Sequence, residues 1–381
     1  MKKGKQHLVY KLHKALYGLK QAPRAWFNRI EGHFLNGGFQ KCESEQTLFT
    51  KKNNSGKILI VSIYVDDLIF TGDDNAMMSE FKSSMLQEFD MTDLGSMRFF
   101  LGIEVMQRED GIFICQQRYA LAILRRFGMM ESNEVSSPIV PGFKASKDKD
   151  GTLVDDNVYK QLVGSLIYLT ATRPDIMYAT SLTSRYMARP TDFHLQAAKR
   201  ILRYLKGTAS YGIHYKRNKG SELEAYTDSD YAGDVDDRKS TSGYAFLLSS
   251  GAISWGSKKQ PIVTLSTTEA EFVAAAVCVC QAIWLRRVLN EMGHGDDNCM
   301  QIKCDNSSTI KLSKNPVMHG RSKHIDVRYH FLRNLTRSGS IALIHCGTRE
   351  QVADIMTKPL KVDVFQQLRQ SLGVCNITEL S

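Results

Sequence analysis

No pair among the eight cysteines stands as C-x-x-C, and none has a histidine partner at zinc-finger spacing. That excludes a zinc ribbon or finger, and the cysteines read as reduced, mostly buried thiols. No run reaches the roughly 18 apolar residues that a membrane span requires. The opening text, MKKGKQHLVYKLHK, lacks the apolar core of a secretory signal, so an intracellular protein, cytoplasmic or nuclear, is expected. Negative charge is scarce too: the first 16 residues hold no acid, and 50 Lys and Arg against 40 Asp and Glu leave a net charge of +10. Charge of that sign favours a polyanionic partner, nucleic acid first, and says nothing of fold. A chain of 381 residues is expected to form two or three domains with sizeable cores.

Ile58 to Asp74, ILIVSIYVDDLIFTGDD, reads as two apolar strands joined at Asp66-Asp67. A two-residue hairpin loop ordinarily wants Asn-Gly, Asp-Gly or another glycine pair, and two like charges are poor turn chemistry. Paired carboxylates at a hairpin tip instead suit a hard divalent cation, whose remaining shell is water and substrate phosphate. A solvated surface turn is the plainer alternative. Upstream, Ala15 to Phe34 has helical periodicity broken at Pro23, with Trp26, Phe27, Ile30 and Phe34 on a core face. Downstream, Phe99–Val105 and Gly111–Cys115 read as strands and Arg118–Phe127 as a helix.

Ser132 to Asp156 is rich in Ser, Pro, Gly, Lys and Asp and is expected to be a linker. Three helices follow to Lys206, interrupted at Arg173-Pro174-Asp175 and Arg189-Pro190, the last capped at Gly207. Lys199, Arg203 and Lys206 form a cationic stripe on it, either a solvated face or a contact to a nucleic-acid backbone. From Leu223 the order is βββαβααβα, ending in a helix over Arg349–Lys358. It permits a mixed sheet with helices on its faces. In it Asp228 closes the first strand, Glu269 and Glu271 lie on the long helix, Asp305 ends the fourth strand and Asp354 projects from the last helix. Each has an ordinary alternative: Asp228 and Asp230 as turn formers, Asp305 as an N-cap, and Thr348 with Gln351 as a capping box that leaves Asp354 optional. Carboxylates brought together repel, and such a cluster persists when cations neutralise it.

Several stretches carry a resemblance. Leu16-Tyr17-Gly18-Leu19-Lys20-Gln21-Ala22-Pro23-Arg24, Tyr64-Val65-Asp66-Asp67, Met97 to Glu104, Val163 to Tyr168, Thr172 to Ile176, Tyr226 to Asp230, Lys239 to Tyr244, Ser257 to Gln260 and Val352-Ala353-Asp354 resemble the Pol polyprotein of copia-type LTR retrotransposons. The resemblance covers about residues 8 to 360. It implies an α/β chain: a truncated reverse transcriptase palm over 1–131, a linker over 132–156 and a helical thumb or connection over 157–220. An RNase H-like mixed-sheet domain over 221–360 and a C-terminal tail over 361–381 complete the division.

It also implies an RNase H site of Asp228, Glu271, Asp305 and Asp354, with Glu271 taken over Glu269, and a polymerase hairpin of Asp66 and Asp67. Both would bind Mg²⁺ or Mn²⁺. Two such ions, about 4 Å apart, would activate a water and stabilise the leaving 3′ oxygen in RNA cleavage. Lys199, Arg203, Lys206, Arg238, Lys239, Lys258 and Lys259 would contact nucleic acid, an RNA:DNA hybrid or template-primer. The remainder of a Pol polyprotein and a virus-like particle are expected surroundings. The third palm carboxylate lies upstream of Tyr17 in the family, where this chain has no acid, so the polymerase centre is expected to be incomplete. A catalytically inactive nucleic-acid-binding remnant is the alternative from another class. An integrase is set aside for want of its zinc spacing. His345 falls off the spacing of an RNase H histidine, and a zinc site of His324, Asp326 and His330 ranks below a basic amphipathic helix.

Overall fold

The computed structural model describes residues 15–16, 18–217, 222–295, 298–314 and 326–380. They form two compact units: residues up to 95 with 284–296, and 96–283 with 297 onward.

In the first unit α1 (Ala22–Asn36) carries Pro23 in its first turn, where proline forfeits no helical hydrogen bond. The proline therefore starts the helix instead of breaking it. Ile30 and Phe34 are buried, and Trp26 and Phe27 pack against the same core. Strands β1 (Gln40–Lys41), β2 (Leu48–Lys52), β3 (Ile58–Tyr64) and β4 (Asp67–Gly72) form an antiparallel sheet in that order. The alternating face of β3, Leu59, Val61 and Ile63, meets Met77, Phe81 and Met85 of α2 (Asn75–Glu88) in one core. Asp74 caps α2, accepting from the Ala76 and Met77 amides. In residues 284–296 the Trp284 indole donates to the Ser44 carbonyl at 3.1 Å.

The second unit holds two five-stranded sheets. The first has the order β14-β8-β7-β6-β5, all antiparallel, from β5 (Phe99–Phe100), β6 (Ile103–Arg108), β7 (Gly111–Cys115), β8 (Tyr211–Lys216) and β14 (Val374–Asn376). Residues 99–115, grouped above with the palm, thus share a sheet with β8. Helices α3 (Gln117–Arg126), α4 (Asp156–Leu169), α5 (Met177–Ser184) and α6 (Asp192–Gly207) pack on a core shared with α10 (Val362–Ser371). Gly207 stays helical and Thr208 is the C-cap. Residues 361–380 form no loose tail, because Phe365, Leu368, Leu372 and Val374 are buried. The segment 132–155 has neither helix nor strand, yet it is strapped down. Arg203 and Lys206 donate to the Asn133 and Ser132 carbonyls, and His194 to that of Ser146.

The second sheet has the order β11-β10-β9-β12-β13, from β9 (Leu223–Ser229), β10 (Thr241–Leu248), β11 (Gly251–Lys259), β12 (Met300–Cys304) and β13 (Ile341–His345). The β9-β10-β11 meander is antiparallel, and β12 pairs parallel with both β9 and β13. Between β11 and β12 runs α7 (Thr267–Glu291), and between β12 and β13 lie α8 (Ser307–Lys314) and α9 (Asp326–Arg337). By length and composition α7 is apolar enough to cross a membrane, which amends the expectation drawn from uninterrupted apolar runs. Its Phe272, Val273, Ala275, Cys278 and Val279 are buried, as in the core helix of a globular fold.

Candidate metal centre and its flanking surface

The central strand β9 delivers Asp228, which lies opposite Gly243 of β10 and is 1% exposed. Strand β12 ends one residue before Asp305. Asn306, not Asp305, caps α8 by accepting from the Ser308 and Thr309 amides, so the Asp305 carboxylate is left to the sheet end. On α7, Glu269 turns back to accept from the Leu265 amide at 2.8 Å, while Glu271 turns toward Asp228 and Asp305. Glu271 is buried, and its Oε2 has no hydrogen-bond partner.

The expected last helix is two 3₁₀ turns, Thr348–Glu350 and Val352–Met356. Gln351 caps the second by accepting from the Ala353 amide, and its Nε2 donates to the Thr227 carbonyl at 3.0 Å. Thr348 makes no capping box. Asp354 is carried inward, 5% exposed, by this turn.

Oxygens of Asp228, Asp305 and Asp354 come within 4.8 Å of one another, and so do atoms of Glu271, Cys304 and Asp305. Four carboxylates from four elements thereby meet at the C-terminal edge of β9 and β12. Burial, then the charges of Asp228 and Asp305, pushes the Glu271 carboxyl up from its usual range. Burial and Asp228 do the same to Asp305 and Asp354. Sequence reasoning missed two neighbours. The Thr357 hydroxyl donates to Asp228 Oδ2, and Lys358 Nζ lies 2.8 Å from Asp354 Oδ1 and 3.6 Å from Asp228 Oδ2. Burial alone would lower the Lys358 pKa, but Asp228 and Asp354 outweigh it and hold the ammonium charged. The one sequence signal was the spacing of four between Asp354 and Lys358.

Hard oxygen donors, a buried carboxylate oxygen without a partner and the mutual repulsion of the cluster fit a divalent cation. The Cys304 thiol is a poorer ligand here, since burial and the Glu271 charge raise its pKa.

Asp66 and Asp67 are placed differently. The turn is Val65-Asp66, Asp67 already pairs with Tyr64 in the ladder, and all four residues of the tip are exposed. Val65 has φ +56°, unusual for a β-branched residue, and its carbonyl accepts from the Trp26 indole at 2.7 Å. Among the described residues no third carboxylate joins this pair. Of the basic residues singled out, Lys199, Arg238 and Lys258 are exposed. Lys259 bridges Asp234 and Asp237 at 2.9 Å each, Lys239 lies 3.8 Å from Asp237, and Arg203 and Lys206 hold the strap. His345 ends β13, opposite Cys304 in the ladder and so beside the strand end that carries Asp305. His324 and the Asp326 side chain lie outside the described residues.

A five-stranded sheet of this order, with a carboxylate on its central strand and three more gathered around it, makes this part of the chain a mixed-sheet α/β domain with an acidic centre at its sheet edge. Residues 1–141 match the family described as Reverse transcriptase (RNA-dependent DNA polymerase). A Retrovirus-related Pol polyprotein from transposon RE1 of Arabidopsis thaliana is 41% identical over 98% of this chain, which spans only 26% of that protein. A Putative transposon Ty5-1 protein, YCL074W, of Saccharomyces cerevisiae is 31% identical over 72% of this chain and 89% of its own length. An RNase H1 solved in complex with RNA/DNA hybrid covers 36% of this chain and 94% of itself, at 11% identity and a TM-score of 0.28, too slight a likeness to weigh. The chain belongs to the Pol polyprotein family of copia-like retrotransposons, and it covers about a quarter of the length of such a polyprotein.

Proposed function

We propose that this chain hydrolyses the RNA strand of an RNA:DNA hybrid at the centre formed by Asp228, Glu271, Asp305 and Asp354. The observation that carries the reading is the convergence of these carboxylates, with one buried Glu271 oxygen unpartnered. Mg²⁺ or Mn²⁺ held by them would supply a water acidified to hydroxide and charge stabilisation for the leaving 3′ oxygen. The chain's own residues do the rest. Strand β9 fixes Asp228, with the Thr357 hydroxyl orienting its Oδ2, and the half-buried Asp305 stands at the sheet edge. Lys258 and Arg238, exposed on β11 and on the loop after β9, offer phosphate contacts to the hybrid backbone.

Asp66 and Asp67 are assigned no step, because no further carboxylate among the described residues completes their cage. Two assays on the purified chain test the reading. A labelled RNA:DNA hybrid should be cut in Mg²⁺ but not in EDTA, with Asp228→Asn and Glu271→Gln reducing the rate by at least about 100-fold, as loss of an essential metal-site carboxylate does. Primer extension on an RNA template should be absent. Uncut hybrid, or cutting unchanged in Asp228→Asn, overturns the nuclease assignment, and measurable extension overturns the second statement.

A further inference from the structure

Lys358 stands where a cation is wanted. Its Nζ lies 2.8 Å from Asp354 Oδ1 and 3.6 Å from Asp228 Oδ2, and these two aspartates, with Asp305, supply the oxygens that come within 4.8 Å of one another. One ammonium therefore stands against two of the carboxylates that a divalent ion would use. Its side chain is 37% exposed, whereas those of Asp228 and Asp354 are 2% and 7% exposed. The carboxylates are fixed by strand and turn, but the lysine has a flexible four-carbon stem open to solvent. One positive charge does not balance the cluster, and Glu271 Oε2 takes no partner from it.

We propose that Lys358 is a built-in counter-ion that holds the carboxylate cluster together in the metal-free protein and leaves Asp228 and Asp354 when a divalent cation binds. The inference rests on the metal-site reading above and deepens it. Two charges of the same sign cannot share these oxygens cheaply, and at a few ångströms their repulsion decides which stays. A dication offers more neutralisation per site than an ammonium. Lys358 yields by rotating its stem outward, which leaves the backbone of the 3₁₀ turn in place. The exchange keeps Asp228 and Asp354 from facing each other uncompensated at any stage.

Amine footprinting of the full-length chain tests this without mutation. Acetylation of Lys358 by an amine-reactive reagent, read by mass spectrometry against exposed Lys199 as internal standard, should rise severalfold on adding Mn²⁺ alone. Unchanged or falling reactivity overturns the proposal. A second arm measures Mn²⁺ affinity by the electron paramagnetic resonance of the free ion. Lys358→Gln, which removes the competing charge, should bind Mn²⁺ about tenfold more tightly than the natural chain. In EDTA it should also melt at lower temperature, with Mn²⁺ closing the gap. Equal or weaker affinity in a variant whose circular dichroism is native contradicts the exchange. Hybrid cleavage is followed in the same samples. Cleavage with an unresponsive Lys358 sinks the counter-ion and spares the nuclease; a responsive Lys358 without cleavage does the reverse.

Discussion

Arg173 shows what a single buried charge costs here. The residue is 2% exposed, and its guanidinium grips Asp175 in a two-pronged pair at 2.9 and 2.7 Å, while Nη1 donates to the Thr208 carbonyl at 2.7 Å. The Tyr204 hydroxyl donates to the same Asp175, and Arg369 donates to that hydroxyl. Removing one partner strands the other in the core, so Arg173→Met should lower unfolding stability by about 3–5 kcal/mol in urea titrations. A loss under about 1 kcal/mol would mean that the pair is wetter than its geometry. His214 supplies a pH dependence. Burial holds its imidazole below the usual value, outweighing the exposed Asp110 carboxylate 3.6 Å away. The unfolded chain then binds more protons than the folded one below about pH 6.5, so this contribution is full at higher pH and declines as pH falls. His214→Gln should flatten denaturation midpoints between pH 7.5 and 5.5, and an undiminished slope would place the titrating group elsewhere.

At the scale of elements, the β9-β10-β11 meander, the long helix and β12 were legible because alternation and periodicity of side chains write them directly. Asp228 and Asp305 were readable as strand-end acids. Choosing Glu271 over Glu269 needed the family motif, because both are buried and the difference is one of direction around the helix. The turn carrying Asp354 was misread as a longer helix. Its 3₁₀ form follows from burial against β10, which no local pattern encodes: a Cβ on Gly243 would stand 2.6 Å from Met356 Cβ and from Thr357 Cγ2. Gly243 is thus glycine to admit this turn. Gly243→Ala should destabilise the domain by about 1–3 kcal/mol through overpacking and displace Thr357 from Asp228. Thermal melts check the first effect and Mn²⁺ affinity the second; a neutral substitution would show that the turn floats free. The Val65-Asp66 turn escaped the sequence because a β-branched residue with positive φ is disfavoured locally and is held here by the Trp26 indole.

For the whole molecule, two acidic sites of unequal completeness sit in two compact units. Asp66→Asn with Asp67→Asn should leave hybrid cleavage within about twofold of the natural chain, since no carboxylate of the proposed metal site is touched. A large loss would tie the hairpin to the nuclease. The net charge of +10 predicts hybrid binding that weakens steeply with salt. That expectation rests on composition alone. The metal-site claim is tested most directly by anomalous scattering from crystals soaked in Mn²⁺. Peaks should lie among the carboxylates of Asp228, Glu271, Asp305 and Asp354, with Lys358 withdrawn. Mn²⁺ bound elsewhere while these four side chains stay bare would contradict the account.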